Sequence, residues 1–230
     1  MSVGPGGKVQ VSGQVSVMAI NGLLVKLVFD RNPERQFYVE EGFPLDWMYP
    51  YLEPDGLIMK LNREPLSTLS EESLQRDHDY WTRYLQPILG NWLNDDTSIE
   101  KVVEFADEVH LQHDFARFKA DPQFIRNEYS CKMFSKLRSS QAGLFAWRLA
   151  HSTDAAEKDR LARDADFAFR QALALGPSSL EVIYRYVDFL MQQNRQSDAL
   201  LVASACLKLD PKNSQLAAVV TQLKTHRVAR

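Results

Sequence analysis

The chain is poor in cysteine. Its 230 residues hold two, Cys131 and Cys206. Two thiols do not make a disulfide framework, so both read as small buried apolar groups and nothing demands an oxidising compartment. Positive charge is not in excess either: 27 Lys and Arg stand against 30 Asp and Glu, a net charge of −3. Without a basic field to gather phosphates, a nucleic-acid partner is disfavoured. Long apolar runs are missing too. "VSVMAINGLLVKLVF" is interrupted by Asn21, Gly22 and Lys26 and falls short of the roughly 20 apolar residues that a spanning helix needs. The opening "MSVGPGGKVQ" lacks the basic start and small-residue cleavage site of a secretion signal. The expectation is a chain without a direct membrane span, either soluble or the soluble piece of something larger. Nucleophile elbows, P-loops, dinucleotide-binding glycine patterns and paired-cysteine metal motifs are all lacking. That removes the commonest routes to a hydrolase, nucleotide-binding or zinc reading.

What is present divides at about residue 66. Residues 1–66 hold most of the glycines and six of the ten prolines. "QFYVEE" is aromatic and β-branched, as strands prefer, and "GLIMKLN" is a second apolar run opened by the turn "EPDG". Between them "GFPLDWMYPYL" suits a short helix, with Asp46 near its start and a kink at Pro50. That spacing leaves room for a crossover, so a small parallel βαβ-like unit is expected. Glu40, Glu41 and Asp46 follow the first strand, where sites in parallel sheets lie. Asp46, Trp47 and Tyr49 together form a candidate ligand contact, with a helix cap and core aromatics as the competing reading.

From Ser67 onward the apolar period becomes helical. Thr68 with Glu71 fits a capping box, and Leu74, Trp81, Leu85, Ile88 and Leu89 follow on one face. Thr97 or Ser98 starts a second helix with Val102, Val103, Phe105, Ala106 and Val109 inward. Asp121 before Pro122 starts another, and a long helix runs from about Phe124 through "SSQAGLFAWRLAH". Histidines and acids gather in "DHD" (77–79) and "EVHLQHD" (108–114), where His110 and His113 stand at i, i+3. On a helix such a pair shares a face and can hold a metal. A helical metal-dependent hydrolase is therefore a third reading behind a solvated charged face, and no catalytic residue, metal ligand or cofactor is assigned.

The strongest pattern is an echo. "QALALGPSS" returns as "ACLKLDPKN", with Pro177 and Pro211 offset by 34 residues. At that offset Asp164 meets Asp198, Ala165 meets Ala199, Ala172 meets Cys206 and Leu175 meets Leu209. A period of about 34 closed by proline is the mark of tetratricopeptide (TPR) repeats, pairs of antiparallel helices stacked in series. Small residues admit close helix approach, and proline ends each second helix. The stack is irregular over 139–178, regular over 180–213 and capped by 214–226. The expected fold is mainly α: a small α/β unit over 1–66, then a TPR-like antiparallel helix stack over 67–230. In "SSLEVIYRYVDFLMQQ", Ile183, Tyr186, Val187 and Leu190 form the buried face, while Glu181, Tyr184, Asp188 and Gln192 line the candidate partner groove.

At "QFYVEEGFPLDWMYPYLEPDGLIMKLNREPL" and at "RNEYSCKMFSKLRSSQAGLFAWR" the chain resembles the C-terminal soluble region of a bacterial membrane-protein family. Members of that family carry a GT-C-type, protein O-mannosyltransferase-like membrane core followed by TPR units. The resemblance spans roughly residues 15–225. It implies a fragment, split-gene product or excised tail without catalysis of its own, placed on the extracytoplasmic face; without the resemblance, the cytoplasm is the expected compartment. Its partner would be a protein or peptide, including a membrane-embedded glycosyltransferase core. The leading expectation is a non-catalytic protein–protein interaction module. The alternative is an accessory or acceptor-binding domain of a GT-C-type glycosyltransferase.

Overall fold

A computed structural model describes residues 2–3, 9–10, 14–40 and 45–228. Two short strands, β1 (Ser2–Val3) and β2 (Val9–Gln10), pair antiparallel and precede helix α1 (Gln14–Asp30). A three-stranded sheet follows from β3 (Phe37–Val39), β4 (Leu52–Asp55) and β5 (Ile58–Leu61), in the order β3-β5-β4. Helices α2 (Glu71–Leu89), α3 (Ile99–Phe105), α4 (Pro122–Arg126), α5 (Glu128–His151), α6 (Ala155–Leu175), α7 (Leu180–Gln192), α8 (Gln196–Leu209) and α9 (Ser214–Val228) complete the chain. The protein is thus a small sheet unit followed by a helix stack, as expected. Among the described residues no helix is long and apolar enough to cross a membrane.

The sheet itself differs from the expected parallel unit, because every neighbouring pair is antiparallel. A crossover to a parallel neighbour needs a helix of a dozen residues or so. Here residues Asp46–Tyr51 form only a 3-10 turn with Pro50 inside it. The chain then makes an unexpected strand, β4, and reverses through the two-residue loop at Gly56, whose φ of 63° suits glycine. Leu52 opposes Leu61, and Phe37 opposes the same Leu61 from the other side. Pro54 is tolerated because β4 is an edge strand. The parallel relation survives only between β3 and β4, on either side of β5. Glu41 lies outside the described residues.

The helix starts are set by side-chain caps. Ser70 accepts from Ser73 N at 3.1 Å, so the cap of α2 is Ser70 and not Thr68, whose hydroxyl reaches Glu157 on α6 instead. Ser98 caps α3, and Asp121 accepts from Gln123 N and Phe124 N before Pro122. The long helix is divided: α4 ends at Asn127, which accepts from Ser130 N and restarts the chain as α5. The echoed segments end helices at equivalent places, α6 at Leu175 and α8 at Leu209, two residues before Pro177 and Pro211. Ala165 and Ala199 are fully buried in the main core, and α5 with α6 forms the most extensive helix pair.

α5 sits between neighbours on several sides, and its polar residues are buried with its apolar ones. Arg138 is 1% exposed and Asp77 of α2 is 4% exposed. Arg138 Nη1 donates to both Asp77 carboxylate oxygens at 3.0 and 2.8 Å and to Gln141 Oε1 at 2.9 Å, while its Nε donates to Gln171 Oε1 at 2.8 Å. Trp81 Nε1 donates to the same Gln141 oxygen at 2.6 Å, and Gln141 Nε2 donates to the carbonyls of Gly56 and Ile58 in the hairpin. Arg148 donates to Leu66 O and Pro50 O at 2.6 and 2.8 Å. Two α5 side chains therefore fasten the sheet unit onto the helix stack, and Leu144 completes its apolar cluster.

Candidate functional site

Along α5 the residues Ser140, Gly143, Ala146 and Trp147 recur at helical spacing on one face. The three small ones cut a shallow channel beside α7. A Cβ placed on Gly143 would find no heavy atom within 4 Å, so the channel is open there. Phe169 and Phe189 form its floor, and α7 supplies Arg185, Asp188 and Gln192 along the opposite wall. The 3-10 turn brings Tyr49 to one end, where its ring stacks on Trp147 at 5.2 Å and 17°. Trp147 in turn stacks on His151 at 4.0 Å. The resulting cavity holds about 290 Å³.

Two residue sets singled out separately in the sequence therefore meet in one place: Tyr49 from the first, Asp188 and Gln192 from the second. Gln192 Nε2 donates to Asp188 Oδ2 at 2.7 Å, which orients the carboxylate. Glu181 lies one turn further along α7 and pairs with Arg185 at 2.7 Å and with Lys136 of α5 at 3.7 Å. Arg185 is the wall residue that sequence reasoning passed over. Its position at i+4 from Glu181 on a helix already carrying the stripe was the available signal. Burial pushes the Tyr49 phenol above its usual range; the Arg185 cation opposes that shift and Asp46 adds to it.

The remaining members of those sets lie elsewhere. Tyr184 packs against the main core with its hydroxyl buried and without a hydrogen-bond partner. Trp47 packs in the sheet cluster, with its ring 5.7 Å from Phe29 and 6.1 Å from Tyr51. Asp46 is exposed in the first turn of the 3-10 helix.

The histidine–acid clusters are engaged in the fold. Asp77 belongs to the Arg138 ion pair, and His78 Nε2 lies 2.9 Å from Asp95 Oδ2. The segment Ala106–Leu111 is a π-helical turn, and His113 follows it in the left-handed region at φ 55°. His110 and His113 therefore do not share a helical face. His110 Nε2 donates to Ala174 O at 3.0 Å, and burial pushes its imidazole down to about 4. Among the described residues no group of three or more His, Cys, Asp or Glu side chains could hold a metal ion.

A second, larger cavity of about 490 Å³ lies where the end of α2 meets α3 and the π turn. Trp92 and Phe105 face each other there at 4.6 Å, with Phe118 5.8 Å beyond Phe105. Its rim mixes Lys101, Arg117 and Lys119 with Glu104, Glu108 and Asp114. That rim has no preferred charge sign and holds no member of the two residue sets, whereas the channel brings Tyr49, Asp188 and Gln192 together. The channel is therefore the better-defined site. No protein-family model, curated protein or solved structure matches this chain.

Proposed function

We propose that the chain is a non-catalytic protein–protein interaction module built of TPR-like repeats, and that its channel between α5 and α7 holds a peptide segment of the partner. The observation that carries this reading is the open space at Gly143 between a stacked aromatic pair and a polar wall, contributed by α5, the 3-10 turn and α7. An apolar ligand side chain fits the hollow over Gly143. Asp188, Gln192 and Arg185 lie where they can meet its backbone groups, the arrangement by which grooves fix orientation with few polar contacts. The 34-residue offset of the helix ends supports the repeat reading.

The resemblance noted above favours a narrower form of the same reading. The module would be the soluble C-terminal part of a larger membrane protein. It would act as an accessory or acceptor-binding domain for a GT-C-type glycosyltransferase core on the extracytoplasmic face.

A random dodecapeptide phage library selected against the full chain tests the groove. Selected peptides are expected to lose binding to Gly143→Leu, which fills the hollow, and to Asp188→Arg, while both variants keep the wild-type circular dichroism and a cooperative melt no lower than about the wild-type midpoint. Equal affinity of the selected peptides for wild type and both variants would overturn the proposal.

A further inference from the structure

Among the described residues, seven of the ten exposed large apolar side chains belong to one helix, α1: Val17, Met18, Leu23, Leu24, Val25, Leu27 and Val28. Leu23 is 70% exposed, and the least open, Val25, is still 38% exposed. At about 100° per residue these positions spread over roughly 220° of the circumference. A helix seated in a protein groove or paired with a second copy presents a stripe nearer 100° wide. More than half of this surface would stay wet in either arrangement.

The other side of α1 is rooted. Phe29 is buried, and Gly22 faces Leu45 closely. Arg63 stacks on Phe29 at 4.4 Å and donates to the carbonyls of Phe29, Asn32 and Arg35 at the helix C-terminus. Around this root stands a polar and aromatic collar. Lys26 lies over Trp47 at 5.4 Å, and Tyr38 is 44% exposed. The charges of the collar balance: Lys26, Arg31 and Arg35 against Asp30, Glu34 and Glu40.

We propose that α1 is a membrane-seating helix that beds its open arc into one leaflet of a lipid bilayer, with the collar at the headgroups. The open apolar positions run from Val17 to Val28, about 18 Å along the helix, with Asn21 and Lys26 between them. Lipid covers the open arc of a helix bedded in the leaflet, while Gly22 and Phe29 stay against the protein, which matches an arc of about 220°. Trp, Tyr and long basic side chains favour the water–lipid boundary. A collar of balanced charge complements zwitterionic headgroups, so apolar burial drives the contact and anionic lipid adds little. The inference does not depend on the groove reading.

Flotation of the full chain with POPC vesicles and with POPC/POPG vesicles tests it. Wild type is expected to float with both, with partition coefficients within about threefold of each other because the collar carries no net charge. The triple variant Leu23→Gln, Leu24→Gln, Leu27→Gln keeps its melting temperature, since those side chains are exposed, and loses at least about tenfold in partition. A Leu24→Cys variant carrying an environment-sensitive dye reports depth. Cys131 and Cys206 are buried with thiols pushed up to about 11 and about 12, so they do not compete for the label. The dye signal should shift blue only when vesicles are added. Failure to float, flotation on POPG-containing vesicles alone, or wild-type flotation of the triple variant would each sink the proposal. So would a blue-shifted dye in a lipid-free dimer, which would assign the face to a second copy.

Discussion

Replacing Arg138 with methionine removes the cation that bonds both oxygens of Asp77 while preserving most of the side-chain volume. Asp77 is 4% exposed and receives Arg138 Nη1 on both oxygens. Stripped of that partner, it becomes an uncompensated buried carboxylate, a loss of about 3–5 kcal/mol. For a chain of this size each kcal/mol moves the melting temperature by about 2–4 °C, so the expected fall is about 6–20 °C. The pair itself is not a net source of stability. Burial pushes Asp77 up and Arg138 down despite their mutual attraction, so desolvation outweighs the Coulomb gain on both sides. The double variant Asp77→Leu, Arg138→Met should therefore recover most of the loss. Gln141 would still accept from Trp81 and donate to the hairpin, and only Gln171 Oε1 would lose its donor. Acid should relieve the single variant as well. A carboxylate whose folded pKa is raised is most stabilising below its unfolded value, near 3.9, and that contribution is lost as pH rises through the folded value. The deficit of Arg138→Met against wild type, measured by urea denaturation at matched pH, should shrink as pH falls toward 4. A loss under about 1 kcal/mol, or a double variant as unstable as the single one, would refute the reasoning.

Two glycines should respond to alanine with opposite signs. Gly143→Ala places a methyl in open space inside a helix and should stabilise by about 0.5–1 kcal/mol. Gly176→Ala would set its Cβ 2.5 Å from Ser135 Oγ and 3.1 Å from Cys131 O, and should destabilise by about 1–3 kcal/mol in the same denaturation assay. Like signs would undo the packing argument. His110 supplies a pH test. Its folded value of about 4 lies below the ordinary 6.5, so its stabilising contribution is complete above 6.5 and is lost as pH falls toward the folded value. Between pH 7.5 and pH 5 it should remove about 2 kcal/mol, and His110→Gln, which keeps a donor for Ala174 O, should flatten that part of the stability curve.

The helix ends and buried faces of the stack were legible because their determinants are local. A proline two residues past a helix end, a buried alanine on α6 and its equivalent on α8, and the face of Ile183, Tyr186, Val187 and Leu190 each follow from spacing along one segment. The same holds for the caps at Ser98 and Asp121. Sheet direction was not local. It turned on a strand hidden in "LEPD", where proline and two acids conceal an edge, and on Pro50 shortening the intervening helix to a 3-10 turn. The polar centre was illegible for a different reason. α5 is covered along most of its circumference, so Arg138, Gln141 and Arg148 are buried beside Leu144 and Phe145, and no apolar period remains to orient the helix. "DHD" read as solvated for want of its partner, 61 positions further along. Half of the candidate groove could be read for the same reason that half could not. The stripe on α7 is periodic, but its meeting with Tyr49 and Trp147 depends on how the sheet unit docks.

That docking connects stability to the groove. Arg148 bonds the carbonyls of Tyr49 and Pro50, so the 3-10 turn that presents Tyr49 is held by the same helix that supplies Gly143 and Trp147. The opposite wall is held separately. Asp166 of α6 accepts from Tyr186 of α7 at 2.9 Å and from Arg195 at the α7–α8 turn at 2.8 Å. Each wall thus has its own polar fastener to the α5–α6 pair, and the walls are also tied to each other: Arg185 Nη1 donates to Ser140 Oγ at 3.1 Å, and Lys136 pairs with Glu181 at 3.7 Å. A channel held in this way needs no collapse to form, so the proposed peptide would be spared the ordering cost that a collapsing groove meets on binding.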